Sequence, residues 1–288
     1  TKVSQGCKNC YAEREWPRLQ HLPAYAGRAF TDVRCHPDRL DEPLRWRRPR
    51  KIFVCHNADL FHDDVPDEFI DRVWRVMLQA KKHVFQILTK RPRRMQHYLA
   101  RFRPDDQGWI TRDGAPAMGK PQSGPLIADN NWPIRNIWLG VSVEDQATAD
   151  ERIPPLLQTP AAVRWISAEP LLKQIELWPW INNNIPSRWP NSQYQPRGPF
   201  LDWVVAGGES GPKARPSHPD WFRSLRDQCQ VAGVPFFFKQ WGGWAPDAPV
   251  SKYADSTIKM DDGTYLRFVG KKRAGRMLDG REWNEYPE

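Results

Sequence analysis

The stretch LDWVVAGGESG (201–211) sets an unbroken apolar run, Trp203 to Ala206, directly ahead of Gly207, Gly208, Glu209 and Ser210. An alternating pattern would suit a sheet with one wet face, whereas a continuous run suits a parallel strand covered on both faces. The same signature recurs in KIFVCHNADLF (51–61), HVFQILTKRP (83–92), NIWLGVSVED (136–145), VRWISAEPLL (163–172) and VPFFFKQWGGW (234–244). Helical spacing fills the intervals. VPDEFIDRVWRVMLQA (65–80) has Pro66 near its start, acids in its first turn and a stripe of Phe69, Val73, Val76 and Met77. EDQATADERIPPLLQ (144–158) and HPDWFRSLRDQCQVAG (218–233) follow later strands, the second ending at Gly233 as a C-terminal cap. Strand–helix units in series, joined by right-handed crossovers, predict an α/β fold, a parallel (βα) barrel in preference to a doubly wound sheet.

Two segments interrupt the rhythm, 103–134 (rich in Gly, Pro and Asp) and 178–200 (rich in Trp, Pro and Asn), and both read as loop insertions. The expected organisation is a barrel over residues 1–244 and a C-terminal appendage over 245–288.

Bulk properties narrow the function classes. With 288 residues, 40% hydrophobic and 27% charged, the chain has a globular composition. No apolar run approaches the roughly 20 residues of a membrane span, and no signal peptide is visible, so a cytoplasmic location without membrane contact is expected. Five cysteines, only two of them close together, do not make a disulfide framework. A formal charge of +9 favours polyanionic partners. Much of the excess sits in RWRRPRK (45–51), KRPRRM (90–95) and GKKRAGR (270–276), which makes nucleic acid or a nucleotide the favoured substrate class. Fifteen tryptophans, many beside proline, read as loop-packing residues.

Chemistry in parallel α/β folds gathers at the carboxyl ends of strands. Polar residues follow every apolar run: Asn57 and Asp59; Lys90 and Arg91; Ser142 and Glu144; Ser167 and Glu169; Gly207, Gly208 and Glu209; Lys239 and Gln240. Unpaired charge in a partly buried space is expensive, so this recurrence points to a site rather than to stability devices. The glycines of GGESG allow close backbone approach to a ligand, and Glu209 suits an ammonium or hydroxyl group. Lys239, after three phenylalanines, is expected to be partly desolvated and suited to acid–base work; with Glu209 it is the candidate catalytic pair.

The amino end carries TKVSQGCKNCYAERE (1–15), in which Cys7 and Cys10 form C-x-x-C ahead of a helix-like segment. Such a pair can bind zinc, form a redox disulfide or hold corners of an iron–sulfur cluster, and spacing alone does not choose. Zinc needs two more ligands, for which Cys35 with His36 and Cys55 with His56 are poorly spaced. Cys55 and Cys229 read as buried small hydrophobes.

Together with RLDEPLRWRRPRKIFV, DLFHDDVPDEFIDRVW, FQILTKRPRRM, LGVSVEDQATADERIP, AVRWISAEPLL, DWVVAGGESGPKARPSHPDW and GVPFFFKQWGGW, the opening block resembles phage- and prophage-associated radical-SAM-like proteins. The resemblance runs from residue 1 to about 244, and members are often encoded beside three-Cys-motif partner proteins. It implies a partial TIM-like barrel and a C-x6-C-x2-C motif whose first cysteine falls just before Thr1. The chain then lacks that ligand and the first barrel strand. It further implies a 4Fe-4S cluster on Cys7 and Cys10 that binds S-adenosylmethionine, for which the strand-end residues Ser142, Glu144, Ser167, Glu169, Gly207, Gly208, Glu209, Asn57 and Asp59 are the expected contacts. Lys90, Arg91 and Gln240 are left for substrate. The sequence departs from the family at Cys35 and Cys55, neither expected to be a ligand. Two other classes remain in view, a nucleic-acid-binding protein with a C-x-x-C zinc site and a metal-independent hydrolase using Glu144, Glu169 and Glu209.

Overall fold

The computed structural model describes residues 2–23, 25–104, 110–112, 133–181, 199–246 and 256–288; most of the two expected insertions lies outside them. In chain order the elements are α1 (Tyr11–Leu19), α2 (Glu42–Arg45), β1 (Lys51–Val54), α3 (Asp67–Gln79), β2 (Val84–Thr89), α4 (Pro92–Ala100), β3 (Phe102–Pro104), β4 (Ile110–Arg112), β5 (Ile137–Val143), α5 (Gln146–Leu157), β6 (Val163–Ala168), β7 (Trp203–Gly207), α6 (Pro219–Ala232) and β8 (Phe236–Gln240). Short elements follow: β9 (Trp244–Pro246), β10 (Thr257–Lys259), β11 (Tyr265–Phe268), α7 (Lys271–Ala274), β12 (Met277–Leu278) and β13 (Arg281–Glu282).

The six long strands form one sheet in the order β1-β2-β5-β6-β7-β8. The pairs β1–β2, β2–β5, β6–β7 and β7–β8 are parallel. Strand order follows chain order with no reversal, which is the winding of a barrel and not of a doubly wound sheet. Every residue of β5 and β7 is buried, matching their unbroken apolar runs.

The chain divides into two compact units. One comprises Thr1–Asp32, Ser142–Glu151 and Trp165–Glu288; the other comprises Val33–Val141 and Arg152–Arg164. In the first, α6 starts at its cap residue His218, whose ring accepts the Asp220 N–H, and stops at Gly233 in the left-handed conformation (φ 70°), a position glycine occupies without strain. Its buried face carries Phe222, whose ring meets Phe238 of β8 at 5.0 Å and Trp241 at 5.3 Å between centroids.

The carboxyl-terminal residues pack within this unit. Phe238 N–H donates to Trp283 O and Glu285 N–H to Phe236 O, so residues 283–285 lie antiparallel along β8. Arg223 and Arg226 of α6 both grip Asp279 in the β12–β13 turn. The segment expected as an appendage thus covers an edge strand, which would otherwise offer unpaired backbone groups.

In the second unit α3 buries Ile70, Val73, Trp74, Val76, Met77 and Leu78. Phe69, expected in the stripe, is only half-buried, and the buried band is centred on Ile70 and Trp74 instead. Cys55 also differs from expectation. It is exposed and left-handed (φ 57°) in the turn that ends β1, whereas Cys229 is fully buried on α6 as anticipated.

Phe222→Ala is expected to cost about 3–5 kcal/mol by opening a cavity against two aromatic rings. A lower denaturant midpoint with an unchanged slope is the result to look for.

Candidate functional site

Strand-end polar residues of the first unit gather beneath the amino-terminal loop. Glu144, which follows β5, is fully buried, and its Oε1 accepts a hydrogen bond from Ser4 Oγ at 2.9 Å. Ser4 Oγ lies 3.9 Å from Cys7 Sγ. Gly6 passes so close to Glu144 that an added Cβ would stand 2.6 Å from Glu144 Cγ, and the Glu144 side chain would have to shift to admit it. The C-x-x-C loop is therefore seated on the end of β5, and both thiols are half-buried.

Glu209, beyond β7, fastens the same loop from the other side. Its side chain is 5% exposed and accepts four hydrogen bonds: from Arg215 Nε (2.9 Å), Arg215 Nη2 (2.6 Å), Arg215 N–H (2.8 Å) and Asn9 Nδ2 (3.0 Å). Arg215 Nη2 also donates to Gln5 O (2.9 Å), and Asn9 Nδ2 to Lys213 O (2.8 Å). Burial pushes the Glu209 carboxyl up, but the hydrogen bonds from Arg215 and Asn9 outweigh it and hold its pKa below the ordinary value. The hydrogen bond to Glu209, followed by the charges of Glu209 and Glu144, raises Arg215 against the opposing effect of burial.

Glu169, after β6, is engaged from β8. Lys239 Nζ donates to Oε2 at 2.8 Å and Gln240 Nε2 to Oε1 at 2.9 Å. Lys239 is half exposed and not desolvated as expected, because in the alternation of β8 its side chain points outward. Tyr11, next to Cys10, has its hydroxyl pKa raised by partial burial and then by the charges of Cys10 and Glu169, so thiol, phenol and carboxylate share one neighbourhood. Ser142 and Ser167 are buried near the ends of β5 and β6.

The glycines of GGESG also meet a packing requirement within the chain. A Cβ on Gly208 would run into the backbone carbonyl of Trp241, and one on Gly207 would press on Glu169 at 3.2 Å. Gly208 N–H donates to Gln240 O and Gly243 N–H to Glu209 O, so the loops after β7 and β8 lie backbone against backbone. The glycines serve that approach.

The second unit has its own strand-end cluster. Asp59 accepts from Thr89 Oγ1 (2.7 Å), Phe61 N–H (3.0 Å), Lys90 N–H (3.2 Å) and Arg91 Nη1 (3.0 Å), joining the turn after β1 to the end of β2. Asn57 is exposed in that turn.

Sequence reading missed Ser4, Gln5, Asn9, Tyr11 and Arg215. Asn9 and Glu209 are 200 residues apart, a separation at which no local pattern signals contact. Among the described residues, the one group of three His, Cys, Asp or Glu with ligand atoms within 4.8 Å of one another is His218, Asp220 and Asp262, not a set containing Cys7 and Cys10. Both ring nitrogens of His218 are already used, Nδ1 by Asp220 N–H and Nε2 by Asp262 at 3.0 Å.

Glu209→Ala is expected to lower stability by about 2 kcal/mol at pH 7, the worth of charged hydrogen bonds left unmade. Since the folded-state pKa is depressed, this contribution is present above the unfolded carboxyl value and fades as pH falls below about 4. Denaturant melts of both proteins between pH 7 and pH 3.5 should show the difference closing in acid.

No curated protein and no solved structure matches the chain. A family model does match, over residues 1–287, under the description "Protein of unknown function (DUF5131)", and the chain belongs to that family.

Proposed function

We propose that the chain is a radical S-adenosylmethionine enzyme built on a partial barrel of that type, with Cys7 and Cys10 as two thiolate ligands of a 4Fe-4S cluster. The observation that carries this reading is the seating of the C-x-x-C loop. Ser4 and Gly6 rest on Glu144, Asn9 and Gln5 are clasped by Glu209 and Arg215, and Cys10 and Glu169 both act on Tyr11. Two half-buried thiols are thus held over strand ends, where such chemistry belongs. The donor set fits thiolate-bound iron, and the resemblance assigns the third thiolate to a position preceding Thr1. The cluster would supply the electron that splits S-adenosylmethionine into methionine and a 5′-deoxyadenosyl radical.

The chain's own residues divide the remaining work. Glu209 Oε2 takes three donors and Oε1 one, all from Arg215 and Asn9, so it acts as a positioning residue for the thiol loop rather than as a proton carrier. Glu169, with Lys239 and Gln240, offers the polar rim for the amino-acid portion of S-adenosylmethionine, and the buried hydroxyls of Ser142 and Ser167 line the neighbouring strand ends. The substrate class is nucleic acid or a nucleotide, on the strength of the basic charge, and a three-Cys-motif protein is the proposed partner. No described helix is long and apolar enough to cross a membrane.

Anaerobic reconstitution with iron and sulfide, on a chain extended upstream of Thr1, tests the proposal. Expected are absorbance near about 400 nm from thiolate-bound iron and release of 5′-deoxyadenosine, both lost in Cys7→Ala and Cys10→Ala. Stoichiometric zinc without iron would favour a zinc-bearing nucleic-acid binder, and full activity of both cysteine variants a hydrolase.

A further inference from the structure

We propose that the amino ends of β1, β2 and β5 form a binding face for the phosphodiester backbone of nucleic acid, independent of base sequence. The inference does not rest on the proposed enzyme activity. It lies wholly within the second unit, at the strand ends opposite to those bearing Asp59 and Arg91, and its test reads binding alone.

Eight cations occur on three short segments: Arg45, Arg47, Arg48, Arg50 and Lys51 ahead of and opening β1, Lys81 and Lys82 ahead of β2, and Arg135 ahead of β5. All eight are exposed. No Asp or Glu occurs in 43–58, 80–91 or 133–143. The acid of α2, Glu42, is held by Arg39 at 2.9 Å. The segments are tied into one surface by their backbones. Val84 N–H donates to Arg50 O (2.9 Å), and Arg50 N–H to Nδ1 of the fully buried His83 (3.1 Å), whose Nε2 meets Pro43 O (2.9 Å). Asn136 bridges to the same place, donating to His83 O (3.1 Å) and Met77 O (3.0 Å) while its carbonyl accepts Phe85 N–H (2.7 Å). Three adjacent strands at about 4.8 Å spacing put the cations on a ledge roughly 10 Å wide.

The chemistry of the ledge selects its partner. Five of the eight cations are arginines, whose planar forks match phosphate oxygens in pairs. Trp46 is already engaged within the chain, with Arg50 4.5 Å over its ring and His83 in a T-shaped contact. Contact is therefore with the backbone and not with bases. A membrane surface is disfavoured because none of the exposed large hydrophobics among the described residues falls in 43–51, 80–84 or 133–136.

The test is fluorescence anisotropy of labelled duplex and single-stranded oligonucleotides of scrambled sequence between 50 and 200 mM salt. Each phosphate contact contributes about 0.9 to the salt slope, so Arg47→Gln/Arg48→Gln/Lys82→Gln should flatten it by about 3 and weaken binding at 50 mM at least about tenfold. Lys271→Gln/Lys272→Gln/Arg273→Gln, which removes equal charge from α7, should stay within about twofold of the parent. In the unmutated protein, bound duplex should shield Lys82 from acylation and leave Lys272 reactive, a readout that does not depend on the variant folding. Equal weakening by the two triple variants, no binding up to about 100 μM at 50 mM salt, unshielded Lys82, or tighter binding to phosphatidylserine vesicles than to duplex would overturn the proposal.

Discussion

Burying the Glu209 carboxylate would be costly if it stood alone, and the surrounding chain is arranged so that it does not. Arg215 supplies a fork and a backbone N–H from six residues downstream, and Asn9 arrives from the far end of the chain. Because Arg215 passes on to Gln5 O and Asn9 to Lys213 O, satisfying one charge also fixes the path of residues 5–10. The electrostatic constraint and the placement of Cys7 and Cys10 are thus one problem with one solution. Removing the acid takes from Arg215 and Asn9 the carboxylate they share, and the loop keeps the Arg215–Gln5, Asn9–Lys213 and Ser4–Glu144 contacts without that buried charge to bind them together.

The close approaches reinforce this arrangement. Gly208 brings the loop after β7 against the backbone of the loop after β8, which lets Glu209 O accept Gly243 N–H, while Gly207 leaves room for Glu169 to lie across it. The acids after β6 and β7 therefore lie where a Cβ on Gly208 would meet backbone and one on Gly207 would press on Glu169.

The strands and their parallel order were legible because the runs are mostly apolar, those of β5 and β7 buried throughout, and helix-start and helix-stop chemistry marks the segments between them, as at Pro219 and Gly233. The burial register of α3 was not. Apolar residues occupy 69, 70, 73, 74, 76, 77 and 78, a band so wide that periodicity alone cannot decide which border faces the core. Strand-end acids were legible as a class, since polar residues after buried runs have few other uses. Their partners were not, because Asn9, Arg215 and Ser4 reach them across turns that carry no periodic signal. Lys239 shows the limit of local context, for three preceding phenylalanines suggest burial while the two-residue alternation of β8 turns the ammonium to solvent.

How the acids are satisfied bears on what the site can do. Glu209 and Asp59 each receive four hydrogen bonds, so a ligand reaching either would compete with donors already in place. Glu169 is different, since it is held by two side chains and one of these, Lys239, is half exposed on a flexible stem. An incoming ammonium can replace that lysine with little loss, because an exposed ion pair is worth at most about 1 kcal/mol. The same exchange at Glu209 would break a buried clasp and release the loop that carries the thiols. The strand-end acids are therefore unequal: Glu169 is held by an exposed lysine and a glutamine, while Glu209 is clasped by groups that also hold the thiol loop.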